Sequence, residues 1–245
     1  LGEQRDLSRV VGVVLQDAEQ KPAQCRVRAG DRLVEARLVE RQHGGVQAAA
    51  DRLVIARQRG ERVLVIGDFD VDGATATALS MRCLHAFGFR TPDFLVPDRF
   101  RYGYGLSPAI AELAASREPA LLVTVDNGIT SLEGVRRARE LGMEVLITDH
   151  HLAGPVLPDE ALIVNPNLPG SEFGSPALCG VGVAFYLMAA TGRRLAELGI
   201  ISAEVAREAV TDCLDLVALG TVADLVPLDF NNRILVAEGL RRMRA

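Results

Sequence analysis

Apolar and polar positions alternate along the chain so as to predict short buried strands and amphipathic helices. VQAAADRLVIARQRG carries apolar residues at helical spacing and closes on Gly60. VLVI (63–66) is a continuous apolar run of strand length. It feeds GDFDVDGAT, and an apolar-periodic run opened by Gly73 predicts the next helix. Phe94 to Val96 predicts a second strand, followed by VPDRFRYGYGLS, rich in glycine, aromatics and arginine. Ser107 suits an N-cap and Pro108 the first helical position, ahead of AIAELAASR. ALLVTV (120–125), MEVLIT (143–148) and ALIVN (161–165) predict three more strands. Between the first two of these, Leu132 to Leu141 predicts a helix stopped by Gly142. From Leu178 onward the pattern is mostly helical. Gly192 and Gly199 are expected to separate helical pieces, residues 202–220 to form one long helix, and GTVADLVPLD to interrupt it. NNRILVAEGLRRMRA predicts a last helix.

Strands alternating with helices across short connections imply parallel pairing and right-handed crossovers. The expected fold is α/β: a doubly wound, mainly parallel sheet flanked by helices, with a helical C-terminal part. Residues 1–42 show mixed charge and little periodicity, so they read as an N-terminal extension to a domain over 43–245. At 245 residues and 49% hydrophobic, the chain is long enough to bury a large core.

Composition narrows the classes. No run of 18 uncharged apolar residues occurs, which excludes a helical membrane span, and the charged start LGEQRDLSRV has no signal-peptide core. Cys25, Cys83, Cys179 and Cys213 form no CxxC pair, so reduced thiols in a cytoplasmic protein are expected. A net charge of −5 argues against a surface that grips nucleic acid everywhere, but leaves room for a local basic groove. Lys21 is the one lysine; arginine supplies the remaining positive charge.

Three predicted strands end in ionisable groups. Asp68, Asp70 and Asp72 follow the first, Asp126 follows ALLVTV, and Asp149-His150-His151 follows MEVLIT. A parallel sheet brings all three ends to one edge, where open α/β folds keep their sites. Crowded carboxylates repel one another unless cations bind between them. DxDxDG taken alone also reads as a solvated turn, and an EF-hand is the weaker alternative because a strand precedes the motif and Leu79 stands where its twelfth-position Glu belongs. Two of the four histidines beside an Asp at a strand end favour a site. Mostly oxygen donors with some nitrogen suit Mn²⁺ or Mg²⁺. Two such ions roughly 3.5–4 Å apart suit hydrolysis of a phosphate ester or anhydride. Arg99 lies in a glycine-rich loop able to approach a phosphate backbone; Tyr102 and Tyr104 either stack on bases or pack. Gly180 and Gly182 open a predicted helix, whose amides either hold a phosphate or permit close packing.

GDFDVDG, TVDNGI, DHH and GTVADLVP together resemble the four motifs of the DHH phosphoesterase superfamily. With VPDRFRYGYGLS, IVNPN and LCGVGVAFYL, they are similar to its bacterial branch of single-strand-specific 5′-to-3′ exonucleases, over residues 63–229. The resemblance implies that Asp70, Asp72, Asp126, His150 and Asp224 ligate two divalent cations, Mn²⁺ or Mg²⁺, with Asp126 bridging. Without it, Asp224 reads as a helix-boundary cap. Many relatives have a histidine four residues before the Asp matching Asp70; here Ile66 stands there, and Asp68 or water is expected to fill the gap. His151 is implied near the scissile phosphate, and Asp149 as a group orienting a histidine. Implied partners are single-stranded DNA with a 5′ end, a single-stranded-DNA-binding protein and a repair helicase, in DNA recombination and repair. The branch also carries a second domain, which no stretch here matches, so a catalytic domain alone is expected. Two rivals stand beside this: a hydrolase of oligoribonucleotides, cyclic dinucleotides or pyrophosphate, and a non-catalytic DNA-binding scaffold. The intact Asp/His set speaks against the second.

Overall fold

A computed structural model describes residues 45–244, apart from 170, 172 and 174. The N-terminal extension, with Cys25, lies outside the described residues. Five parallel strands run in the order β2-β1-β3-β4-β5, with β1 Val63–Ile66, β2 Asp93–Leu95, β3 Leu121–Val125, β4 Glu144–Thr148 and β5 Leu162–Val164. The order in which strands are added reverses between β1 and β3, the switch point at which such sheets open a crevice.

Side chains of β1 alternate between two cores. Val63 and Val65 pack with α1 (Val46–Arg59), α2 (Val71–Ala86) and α6 (Gly180–Glu197). Leu64 and Ile66 face α4 (Pro108–Ala115) and α5 (Leu132–Glu140). Both faces are covered, which is why the strands read as unbroken apolar runs. The short helix α3 (Arg99–Tyr102) follows β2. Helices α7 (Ala203–Thr211), α8 (Leu214–Ala223) and α9 (Phe230–Met243) complete the C-terminal part, where α8 packs on α2, α6 and α9. Among the described residues no helix is long and apolar enough to cross a membrane.

Several expected boundaries are corrected. Helix α2 starts at Val71, two residues before Gly73, because the Asp70 side chain accepts from Gly73 N at 2.9 Å and caps it. Asp72 is therefore helical, not part of an extended run. Gly192 lies inside α6 rather than ending it; a Cβ there would sit 2.8 Å from Phe87 Cζ, so the glycine serves close packing. The long helix expected over 202–220 is two, broken at Asp212–Cys213, and GTVA belongs to the end of α8. RFRY is a turn of helix rather than open loop, with Asp98 as its cap. Ser107 caps α4 as the sequence predicts, and Gly142 takes the left-handed φ of +82° after α5.

Candidate metal centre

Asp72, in the first turn of α2, is buried and accepts from Gly180 N at 2.5 Å and Val181 N at 2.8 Å. The positive end of α6 thus holds a carboxylate of this chain. Of the two expectations for this helix start, a phosphate cradle or close packing, the Gly180 amide fits the second, because it is already engaged by Asp72. A Cβ at Gly180 would lie 2.5 Å from Asp126 Oδ1, so a side chain there would invade the acid cluster. Gly220 works the same way from α8, where a Cβ would lie 2.9 Å from Asp72 Oδ1.

Asp126 follows β3 with φ +62°, a conformation that costs a non-glycine residue free energy and gathers at functional sites. Its amide donates to Thr148 O at 3.0 Å, and its carbonyl accepts from Tyr104 Oη at 3.1 Å. His150 Nε2 sits 3.2 Å from Asp126 Oδ1, 3.6 Å from Asp224 Oδ2 and 3.9 Å from Asp72 Oδ2. Asp224 reaches this point as the C-cap of α8.

Three sets of ligand atoms each lie within 4.8 Å of one another: Asp68, Asp70 and Asp126; Asp72, His150 and Asp224; and Asp126, His150 and His151. Asp126 and His150 link the three. Asp126 Oδ1 and His150 Nε2 are buried and have no hydrogen-bond partner. These two atoms face each other across 3.2 Å beside further carboxylates, a donor set that fits a divalent cation. Ile66 is sealed in the core, and Asp68 stands two residues on at the mouth of the cluster.

The electrostatics record uncompensated negative charge. Burial, with Asp72 and Asp70 nearby, pushes Asp126 up to about 7. Burial likewise raises Asp72, Asp68 and Asp224. Burial opposes charge on His150, yet its pairing with Asp126 raises it overall. His151 Nδ1 lies 2.7 Å from Asp149 Oδ1, and that bond lifts His151 to about 9. Asp149 is buried, which favours its neutral form, but bonds from His151 and Ile129 N lower it.

Backbone around the two histidines is clamped by groups that sequence reasoning missed. Asn165 Nδ2 donates to His151 O at 2.9 Å and Asn167 Nδ2 to His150 O at 2.6 Å. Asn127 Nδ2 bonds Val125 O and Ile66 O, tying the ends of β3 and β1 across the switch point. The available signal was Asn127 within TVDNGI and Asn165 and Asn167 within IVNPN. Tyr104 turns its hydroxyl inward, 3.4 Å from His151 Nδ1, with the rings edge to face. Tyr102 is half-buried against the second core, and Arg99 is exposed with its guanidinium over the Phe69 ring. A cleft lined by Gly67, Asp68, Pro97, Gly103, Gly105 and Asn127 lies beside Asp68.

A parallel switch-point sheet ending in GDFDVDG, DNG and DHH around one cluster of acids defines a class. The chain belongs to the DHH family: residues 62–221 match the family's N-terminal domain. Within it, the chain is similar to RecJ. It is 52% identical over 215 residues to the single-stranded-DNA-specific exonuclease RecJ of Haemophilus influenzae, covering 88% of this chain and 37% of that protein. Identity with RecJ of Escherichia coli (strain K12) is 50% over 216 residues, with the same coverage. The chain thus spans 37% of the length of these relatives. A crystal structure of exonuclease RecJ bound to manganese superposes with a TM-score of 0.70 at 37% identity, covering 82% of this chain and 48% of that one. RecJ of Thermus thermophilus, in complex with Mn²⁺, gives 0.67 at 35% identity, covering 82% and 27%.

Proposed function

We propose that this chain is the catalytic part, over residues 43–245, of a metal-dependent phosphodiester hydrolase. In this reading it removes nucleotides from the 5′ end of single-stranded DNA in recombination and repair. The observation that carries the reading is the convergence of Asp126 Oδ1 and His150 Nε2, both orphaned, with Asp72 and Asp224. Substrate class comes from the RecJ relatives, whose names specify single-stranded DNA. A single-stranded-DNA-binding protein and a repair helicase are the expected partners, in the cytoplasm.

Asp70, Asp72, Asp126, His150 and Asp224 would hold two divalent ions, Mn²⁺ or Mg²⁺, with Asp126 shared and Asp68 completing the outer one. Such ions, when bound, neutralise phosphoryl charge and acidify a water for attack. His151 is engaged at Nδ1 by Asp149, so Nε2 is the atom free to give a proton to the leaving oxygen. Asp149 is a positioning residue for that ring. The α6 amides hold both Asp72 oxygens, Gly180 N on Oδ2 and Val181 N on Oδ1, and so orient that carboxylate as one that would ligate an ion.

The test is cleavage of 5′-labelled single- and double-stranded DNA, with Mn²⁺ and with EDTA. Mn²⁺-dependent loss of nucleotides from the single strand is expected. His151→Ala should keep Mn²⁺ binding and lose roughly 10²-fold or more in single-turnover rate. Unchanged turnover in that variant would remove His151 from proton transfer. Metal-independent cleavage would overturn the reading itself.

A further inference from the structure

Phe69, at the mouth of the acid cluster, stays out of both cores: it stands between Asp68 and Asp70 and is 47% exposed. Burying such a side chain stabilises a fold, so the exposure of Phe69 beside a charged site forgoes stability. The Arg99 guanidinium lies 3.6 Å from the Phe69 ring centroid, close enough for a cation–π stack. Arg99 is itself exposed, so the stack opens to solvent above the cluster.

Geometry ties this stack to the cluster. Phe69 N donates to Asp68 Oδ1 at 2.8 Å, and the Asp68 and Asp70 ligand atoms lie within 4.8 Å of that of Asp126. A phosphate at the cluster would therefore place its attached nucleoside within reach of Phe69 and Arg99. A base is flat, with a π-face that stacks on aromatic rings and guanidinium planes. Inorganic pyrophosphate and base-free phosphoesters offer no such face.

We infer that Phe69 and Arg99 form a stacking platform for the base of the nucleotide whose phosphate lies at the acid cluster, selecting base-bearing strands over base-free phosphoesters. The Phe69 ring backs the Arg99 guanidinium at 3.6 Å and leaves its other side to the base. This rests on the phosphodiester reading above and gives its substrate a required part.

The experiment uses two single-stranded oligonucleotides, one normal and one with abasic residues at its first three 5′ positions, cleaved by this chain with Mn²⁺. Phe69→Leu should raise KM on the normal strand roughly 5- to 100-fold, the range expected for one stacked base. The loss should shrink at least fivefold on the abasic strand, and Phe69→Trp should restore the wild-type preference. Equal losses on both strands, or none on the normal one, would overturn the platform. Binding of a strand with 2-aminopurine near its 5′ end separates the two readings, since its fluorescence is quenched by stacking without any cleavage. Quenching that Phe69→Leu abolishes, in a protein that cleaves neither strand, keeps the platform and sinks the hydrolase. Absence of quenching in the wild type sinks the platform whatever the cleavage.

Discussion

The two ends of the sheet bury charge in opposite ways. At the amino end, Arg52 is buried and paired with Glu61 at 2.7 Å and Glu144 at 3.0 Å. At the carboxyl end, Asp68, Asp70, Asp72, Asp126 and Asp224 face two histidines. The first cluster pairs arginine with carboxylates; the second sets five carboxylates against two histidines, an excess of negative charge that divalent cations would offset.

The largest effect should come from removing the shared acid. Asp126→Asn is expected to abolish Mn²⁺-dependent cleavage while raising the melting temperature of the metal-free protein, because it deletes an uncompensated buried charge. Nuclease assays and thermal melts in EDTA check both halves. A variant that melts lower in EDTA would mean the acid cluster is not a source of repulsion.

Next is the dependence on pH. Asp126 titrates near 7 in the fold against about 3.8 unfolded, so between those values the folded protein holds more protons. Its contribution favours the fold at low pH and is lost as pH rises through about 7. His151, raised to about 9, acts in the same direction at higher pH. Asp149, which is lowered, opposes both, but only in the acid range. Metal-free stability should therefore fall from about pH 5 to pH 8, mainly through buried Asp126, because solvent screens the half-exposed His151. Mn²⁺ should flatten the profile. Denaturant melts with and without Mn²⁺ measure it, and a metal-free profile that rises with pH would contradict the account.

The smallest effect belongs to the paired end. Arg52→Met should cost about 1–2 kcal/mol, since Glu144 is partly exposed and solvent screens that pair. Its cost should be the same with and without Mn²⁺, which urea melts would show. A metal-dependent difference would mean that the two ends communicate.

Legibility in the sequence followed distance along the chain. VLVI, LLVTV and VLIT declared their strands because both faces of the sheet are covered, and the acids at their ends followed from parallel pairing. The start of α2 was hidden because Asp70 caps a helix in which Asp72 already lies, while the spacing suggests one extended run. Contacts between distant positions left no trace. Nothing local ties Gly180 to Asp72, Gly192 to Phe87 or Arg52 to Glu144. The inward turn of Tyr104 was equally silent, because a tyrosine between two glycines looks the same whether it faces solvent or a backbone carbonyl.

The bond from Gly180 to Asp72 joins residues 108 apart, and Asp224 closes on the same point still later. Such contacts cannot form on a chain that is still short. At about 5–20 residues per second, the roughly 150 positions from Asp72 to Asp224 take about 8–30 s to synthesise. For that interval the nascent chain carries its first acids without the helix start and the last carboxylate that complete the cluster. Translation thus sets the earliest moment at which the set of Asp72, His150 and Asp224 can close, long after Asp68, Asp70 and Asp126 are all on the chain.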